Sequence, residues 1–230
     1  LFRNTEKEPE IGFKEKAAIY AEFGKVVCIS CGFLAKENEK ETLRIKSFYG
    51  DDETALLQEF ASLLNKNYTD INNQSICGHN IKEFDIPFIC RRMLINNIEL
   101  PYILNIHGKK PWEISHLDTM ELWKFGDYKK YTSLALLATL FGIPTPKDDI
   151  DGSLVGPTYW EQNDLLRIVE YCKKDVVTTA RLLLKLLNLG EIYDDDSIPD
   201  VWGPLWTPEA RQRVLIALNY DLGNWSDDGD

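Results

Sequence analysis

The chain has 230 residues, 44% of them hydrophobic and 11% aromatic, and a formal net charge of −11 at pH 7. These values are typical of one sizeable globular domain, and the negative charge disfavours wholesale binding to nucleic acid. No apolar run is long enough for a bilayer span and no basic-then-apolar signal segment opens the chain, so we expect a soluble, cytoplasmic protein.

The first predicted elements are a short helix and a β-hairpin. Residues 13–23 favour the helix, and residues 25–34 and 42–49 are β-branched, apolar stretches joined by a charged loop, which predicts two antiparallel strands. Cys28 and Cys31 are three apart on the first strand, so their side chains point to opposite faces. We therefore expect core cysteines rather than a zinc site or a redox pair, and the odd total of five disfavours a disulfide framework.

The middle of the chain alternates helices with short strands. Residues 54–65 carry apolar side chains at helical spacing, and residues 75–78 favour a short buried strand. The helix that follows has Pro87 in its first turn, where proline is tolerated. Residues 114–117 favour another strand.

The second half is predominantly helical. Thr132 or Ser133 begins a helix that ends at Gly142, and a longer helix runs from about residue 163 to residue 187. The element order, a hairpin followed by strands alternating with helices, predicts an α/β fold with a mixed sheet and helices on its faces.

The predicted domain covers residues 1–190. The remainder, residues 191–230, is an acidic and Pro/Trp-bearing linker, a helix over residues 207–219 and an acidic tail.

One candidate site lies in residues 78–85, with the sequence GHNIKEFD. Asp85 at the start of a helix has a simple interpretation as a capping carboxylate, and Asn80 has one as a turn residue that hydrogen-bonds its own backbone. Together, however, the strand, Asn80 and the Phe84-Asp85 pair place a carboxylate at the carboxyl edge of a sheet strand. Open α/β sheets form their sites at this edge.

The second candidate site is the pair Tyr171 and Asp175. Residues four apart on a helix differ by about 40° around its axis, so the two side chains share one face. An exposed tyrosine beside an exposed aspartate explains the spacing equally simply. In the functional interpretation Asp175 binds a cation, and the Tyr171 hydroxyl orients an attacking water.

Other polar residues give weaker signals. Asp118 follows an apolar stretch, where it caps the strand end or supports a site from behind. His79, His107 and His116 share no metal-ligand spacing, so none is a predicted ligand.

With these residues in view, the chain resembles the DEDDy 3′–5′ exonucleases, and most closely the stand-alone proteins related to the proofreading domain of family B DNA polymerases. Residues 80–85 match that family's second motif, and Tyr171 to Asp175 match its third. Supporting stretches are GKVVCIS at residues 24–30, LDTM at 117–120, LFGIP at 140–144 and KDDIDGS at 147–153. The resemblance covers residues 17–187.

The resemblance implies a ribonuclease-H-like fold and hydrolysis with two Mg²⁺ or Mn²⁺ ions. The substrates it implies are single-stranded DNA or RNA 3′ ends, and the products are nucleoside monophosphates. Asp85 and Asp175 are the expected metal ligands, Tyr171 is a catalytic residue, and Asn80 and Phe84 are expected to bind substrate.

The chain departs from the family at the first motif, an Asp-x-Glu on the strand that opens the fold. Residues 1–24 contain no apolar strand with that motif, and the strand's place lies between the hairpin and the strand ending at Gly78. An empty place there would leave costly unpaired backbone groups on both neighbours. Three explanations stand: a segment upstream of Leu1, a strand lent by a partner chain in a homo-oligomer, or residues 214–218, which favour a helix instead.

Two further functions therefore stay open beside the exonuclease. One is a non-catalytic nuclease-like module that binds nucleic acid or a protein partner. The other is an α/β domain in which the motif matches are accidental, as a large separation of Asp85 from Asp175 would indicate.

Overall fold

The sheet of this protein is mixed and central. The computed structural model describes residues 19–37, 40–70, 73–127, 131–144, 150, 152–188, 197–198 and 214–223. Within that part of the chain, six strands lie in the order β4-β3-β6-β1-β2-β5. They are β1 (Lys25–Glu37), β2 (Lys40–Tyr49), β3 (Ser75–Gly78), β4 (Leu117–Asp118), β5 (Ser197–Ile198) and β6 (Val214–Gly223).

Helices cover both faces of the sheet. They are α1 (Glu53–Asn67), α2 (Ile86–Ile95), α3 (Thr119–Lys124), α4 (Leu134–Leu140), α5 (Val155–Trp160) and α6 (Leu165–Leu186), with a π-helical turn over Ile81–Asp85 and a 3₁₀ turn over Pro111–Glu113. This mixed sheet flanked by helices confirms the predicted ribonuclease-H-like fold class.

The predicted hairpin is confirmed. β1 and β2 pair antiparallel, with Cys28 opposite Tyr49 and Ser30 opposite Ser47. The hydroxyl groups of Ser30 and Ser47 are 2.8 Å apart, so a hydrogen bond between side chains adds to the backbone ladder. The hairpin supplies one half of the sheet.

The other half contains parallel pairs around the buried strand β3. β4 lies parallel to β3 on one side, with Cys77 opposite Leu117, and β6 lies parallel to it on the other, with Cys77 opposite Ile216. Parallel strands end at the same edge of a sheet. The carboxyl ends of β3 and β4 therefore bring residues 78 and 118 side by side, as their direct pairing shows.

The strand β6 corrects two predictions. It pairs antiparallel with β1 and parallel with β3, so residues 214–223 fill the place between the hairpin and β3. The predicted helix over residues 207–219 is wrong for residues 214–219, while residues 207–213 lie outside the described part of the chain. The apolar run VLIAL fits a buried helix and a buried strand equally, and the unpaired backbone groups of β1 and β3 decide between them.

Because β6 comes from the same chain, the sheet is completed without a strand from a partner. A homo-oligomer is therefore not required to supply that strand. The predicted domain boundary at residue 190 stays a prediction. The part of the chain beyond it nevertheless contributes two strands to the sheet.

The core is divided by the sheet into two sides. Successive residues on a strand point to opposite faces, and Val26 accordingly packs with α1 and α2 while Val27 packs with α5 and α6. The same alternation places Ile76 in the first cluster and Cys77 in a cluster with α6. The long helix α6 thus lies across the face opposite α1 and α2.

Local signals explain which helices sequence analysis found. α1, α2, α4 and α6 match the predicted segments, and side chains cap three of them: Asp52 accepts from Ala55 N, Ser133 from Leu136 N and Asp164 from Arg167 N. Sequence analysis missed α3 and α5, which have six residues each and are too short to show a helical period. The strand expected over residues 114–117 is reduced to Leu117–Asp118. Most of the helix expected over residues 13–23 lies outside the described residues, and residues 20–23 form a turn.

The cysteines agree with the predicted core role. All five are free thiols, and Cys28 and Cys31 belong to clusters on different sides of the sheet. In the described residues no helix has the length and apolar character that crossing a membrane requires.

A buried ion pair fastens α1 to α2 and to the start of β1. Glu53 is 8% exposed and accepts hydrogen bonds from Val26 N at 2.7 Å, from Arg92 at 2.9 and 2.5 Å and from Asn96 Nδ2 at 3.1 Å. Arg92 also donates to the Ala21 carbonyl at 2.9 Å. Each charge is therefore satisfied by several partners, as a buried pair requires.

We expect Arg92→Leu to lower the free energy of unfolding by about 3–5 kcal/mol, because it leaves the Glu53 carboxylate buried and unpaired. Chemical denaturation of the variant and the wild type measures the difference. Lys173→Ala is the matched control: it breaks the exposed Lys173–Glu170 pair, which is expected to contribute less than about 1 kcal/mol. Equal losses in the two variants would contradict the assignment.

Candidate active site

A tight turn after β3 shapes the candidate site. A Cβ atom on Gly78 would lie 2.6 Å from Ile81 Cβ, so only glycine allows this approach. Asn80 has a left-handed backbone with φ of 65°, and a π-helical turn then runs from Ile81 to Asp85. Single π-helical turns are frequent at functional sites because they redirect a side chain.

Asp118 holds this turn in place. Its Oδ1 accepts from Asn80 N and Met120 N, both at 2.9 Å, and its Oδ2 accepts from Lys82 N at 3.2 Å. Asp118 therefore caps α3, which is the strand-end role that the sequence favours, and it also supports the turn from behind. The Lys82 ammonium forms an ion pair with Glu121 at 2.8 Å.

Asp85 is buried without capping its helix. The side chain is 8% exposed and makes no capping hydrogen bond to α2, so the simple capping interpretation is not supported. Burial raises the pKa of Asp85 well above its ordinary value, and the neighbouring carboxylates of Asp118 and Asp175 raise it further. The carboxylates of Asp118 on β4 and Asp175 on α6 thus each repel the carboxylate of Asp85 in the turn after β3.

Burial, with a smaller contribution from the neighbouring carboxylates, makes the ionised form of Asp85 costly for stability. Because the pKa of Asp85 is raised in the folded state, ionisation of Asp85 opposes folding. The protein keeps its full stability below the unfolded pKa of about 3.9 and loses stability as the pH rises from there through the folded pKa of Asp85. We therefore expect Asp85→Asn to unfold at least about 2 °C above the wild type at pH 7 without divalent cations. The difference should vanish near pH 4 and shrink when Mn²⁺ is added. Scanning calorimetry at several pH values measures it, and a constant difference from pH 4 to 8 would contradict the assignment.

Tyr171 and Asp175 lie on α6, as predicted. Tyr171 is half-buried against the cluster that contains Val27, Cys28 and Val169, and Asp175, one turn later, is half-buried too. The Asp175 carboxylate is close enough to Asp85 to raise its pKa. The structure thus brings Asp85 and Asp175 into electrostatic contact from distant parts of the chain, while the roles predicted for Tyr171 and Asp175 stay predictions.

The two predicted substrate-binding residues differ in their surroundings. Among the described residues the buried Oδ1 atom of Asn80 has no hydrogen-bond partner, and an unsatisfied buried acceptor is costly unless a ligand uses it. Phe84 is partly buried against the core, with its ring centroid 6.2 Å from that of Phe88. Asn80 therefore offers an open acceptor, whereas Phe84 contributes mainly to packing.

Sequence analysis missed two residues beside the site. His79 Nε2 donates to the Thr132 carbonyl at 2.8 Å, and its Nδ1 lies 2.9 Å from the Thr119 hydroxyl. The side chain of the neighbouring Tyr131 is 69% exposed in all. Partial burial of its hydroxyl, and then the negative charges of Asp85 and Asp118, raise the pKa of Tyr131 above its ordinary value. No pattern in the sequence marks either residue, because the His79 contacts that link the turn to the Tyr131 segment join parts of the chain 40 and 53 residues apart.

The other histidines have ordinary explanations. His116 is buried, with Nδ1 accepting from Ile76 N at 3.2 Å and Nε2 donating to the Ile103 carbonyl at 3.0 Å. Burial lowers the pKa of His116 to about 4, so it is neutral near pH 7. His107 is exposed.

The donor set fits a divalent cation in part. Asp85 and Asp175 supply hard oxygen ligands of the kind that Mg²⁺ and Mn²⁺ prefer, and a cation between them would relieve the repulsion that raises the pKa of Asp85. Within the described residues no group of three or more His, Cys, Asp or Glu side chains could hold a metal ion. The central strand β6 has Asp221 as its one acidic residue and carries no Asp-x-Glu. The pair would therefore hold one shared cation, and the described residues do not complete a site for two.

A family model matches most of the chain. Residues 19–199 match a family model described as a predicted 3′–5′ exonuclease related to the exonuclease domain of PolB. The matched range contains Asp85, Asp118 and Asp175, and it ends before β6. No curated protein matches the chain.

Proposed function

The chain belongs to the family of predicted 3′–5′ exonucleases related to the exonuclease domain of PolB, and we propose that it hydrolyses the terminal phosphodiester of single-stranded DNA or RNA 3′ ends. The products of this reaction are nucleoside monophosphates. The observation that carries the proposal is the effect of the Asp175 carboxylate on the pKa of the buried Asp85. The two acids come from segments 90 residues apart, and neighbouring carboxylates supply the hard oxygen ligands that a divalent cation prefers.

Each site residue has a proposed task. Asp85 and Asp175 hold the divalent cation, Mg²⁺ or Mn²⁺, and two ions are bound in the mechanism that the resemblance implies. A bound cation supplies positive charge that stabilises the leaving oxygen and favours ionisation of the attacking water. The Tyr171 hydroxyl, with a donor and an acceptor on one atom, orients that water.

The substrate end is recognised by groups on the turn after β3. The unpartnered Oδ1 of Asn80 accepts a hydrogen bond from a hydroxyl of the terminal sugar, which would satisfy this buried acceptor. The partly buried Phe84 provides an apolar contact to the same nucleotide. Asp118 stays outside the reaction and keeps the turn in position through its three backbone hydrogen bonds.

A direct assay tests the proposal. Single-stranded DNA and RNA oligonucleotides labelled at the 5′ end are incubated with the protein in Mn²⁺, in Mg²⁺ and in EDTA. We expect a ladder that shortens from the 3′ end in either cation and intact substrate in EDTA. Intact substrate under all three conditions, with the protein folded, would overturn the proposal.

A second candidate function is a nuclease-like module that binds single-stranded nucleic acid without cleaving it. It is favoured by the central strand β6, which lacks the Asp-x-Glu pair of the first motif. Oligonucleotide binding that is insensitive to divalent cations, with no cleavage, would support this function. Cation-dependent release of mononucleotides excludes it.

A further inference from the structure

An exposed aromatic side chain stands at the rim of the acidic site. Tyr131 is 69% exposed, yet its hydroxyl is close enough to feel the carboxylates of both Asp85 and Asp118. Those two carboxylates are buried, 8% and 2% exposed, at the carboxyl ends of the turn after β3 and of β4. The next residue, Thr132, is hydrogen-bonded through its carbonyl to His79 in the turn after β3, so the exposed Tyr131 lies beside the acidic site.

The position of Tyr131 is fixed by its neighbours. The carbonyl of Thr132 accepts from His79 Nε2 at 2.8 Å, and the other side of the His79 ring is 2.9 Å from Thr119 Oγ1. Ser133 then caps α4 by accepting from Leu136 N at 3.3 Å. Thr132 is thus held to the turn after β3, and Ser133 is held to α4. These two contacts limit the movement of the segment that carries Tyr131.

The charge of the protein makes an aromatic contact especially useful here. A chain with a net charge of −11 repels the phosphates of a nucleic acid, and three of its acidic residues, Asp85, Asp118 and Asp175, lie at the site. Stacking on a base requires no positive charge, and because every base has a π-face it tolerates any sequence. A tyrosine at this rim can therefore hold the last base while its phosphodiester lies over Asp85 and Asp175.

We propose that Tyr131 is a positioning residue that stacks on the base of the terminal nucleotide, with the His79–Thr132 hydrogen bond holding its segment against the site. This inference rests on the proposed exonuclease function and adds the group that recognises the 3′-terminal base. It assigns Tyr131 to binding and not to the reacting atoms.

The test compares Tyr131→Ala, Tyr131→Phe and Tyr102→Ala. Tyr102 is 63% exposed and serves as the matched control for loss of a surface tyrosine. Binding of a fluorescent single-stranded oligonucleotide is measured by anisotropy in Ca²⁺, and KM and kcat are measured in Mn²⁺. We expect Tyr131→Ala to weaken binding and raise KM about tenfold or more with little change in kcat, while Tyr131→Phe and Tyr102→Ala match the wild type.

An oligonucleotide with an abasic 3′-terminal residue separates stacking from other effects. The wild type and Tyr131→Ala should bind this substrate equally, because the base that Tyr131 contacts is missing. The inference would be overturned if the two proteins bound the normal oligonucleotide equally, or if Tyr131→Ala weakened binding of the abasic oligonucleotide as much as that of the normal one. The absence of any binding by the wild type would also overturn it. Binding that depends on Tyr131 without cleavage would support the stacking role and count against the exonuclease alone.

Discussion

Replacing Asp175 by asparagine is expected to lower the rate of cation-dependent cleavage by at least about 10³-fold. The substitution keeps the size of the side chain but removes one of the two charges that would bind the cation. A bound metal provides several kcal/mol of charge stabilisation in the transition state, and each 1.4 kcal/mol corresponds to a factor of ten. Initial rates on a 5′-labelled oligonucleotide in saturating Mn²⁺ measure the change.

Glu170→Gln is the matched control for Asp175→Asn. Glu170 lies on the same helix, and its carboxylate is exposed and paired with Lys173 at 2.6 Å. Glu170→Gln removes the same charge from α6 without altering the site, so the cleavage rate of this variant should stay within about twofold of that of the wild type. Wild-type turnover in Asp175→Asn, or an equal loss of cleavage rate in both variants, would show that Asp175 is not part of the active site.

A proline at Ile216 is expected to lower the free energy of unfolding by more than about 5 kcal/mol, enough to unfold many domains of this size. Ile216 lies in β6 opposite Cys77 on one side and Gly32 on the other. Proline has no backbone N–H, and its ring displaces the neighbouring ladder bonds, each unsatisfied group costing roughly 1–3 kcal/mol. Circular dichroism and size-exclusion chromatography of the purified variant measure the loss.

Ile216→Val is the control for this prediction. It keeps the backbone donor and the β-branched shape while removing one methylene group, so we expect a loss of about 1 kcal/mol. If Ile216→Pro were as stable as Ile216→Val and eluted at the same volume, residues 214–223 would not form the central strand. The same outcome would reopen the question of what pairs with β1 and β3.

The sequence predicted the parts of the fold that depend on local signals. β3 has the predicted boundaries, and β1 and β2 were found from their β-branched content, because period-2 patterns and turn residues act within a few positions. β6 was mistaken for a helix because its apolar run has no period that separates the two structures. Its place depends on β1 and β3, more than 130 residues earlier, which no local pattern conveys.

The candidate site was predictable to the same extent. Asp85 and Asp175 were found because the motifs around them are ordered and spaced as in a known family, and Asp118 was expected at a strand end. The hydrogen bonds of Asp118 to the turn, the unpartnered Asn80 Oδ1 and the His79–Thr132 contact were not predictable. They arise only when the turn after β3 meets β4 and the segment before α4.

The most direct test of the central claim is a double-mutant cycle of Mn²⁺ affinity, measured by electron paramagnetic resonance of free Mn²⁺. The four proteins are the wild type, Asp85→Asn, Asp175→Asn and the double variant. If both carboxylates bind one cation, each single substitution should weaken Mn²⁺ binding about tenfold or more. The affinity of the double variant should then lie within about twofold of that of the weaker-binding single variant. Independent, multiplicative losses, or a wild-type affinity no higher than that of the double variant, would show that Asp85 and Asp175 do not share a metal ion.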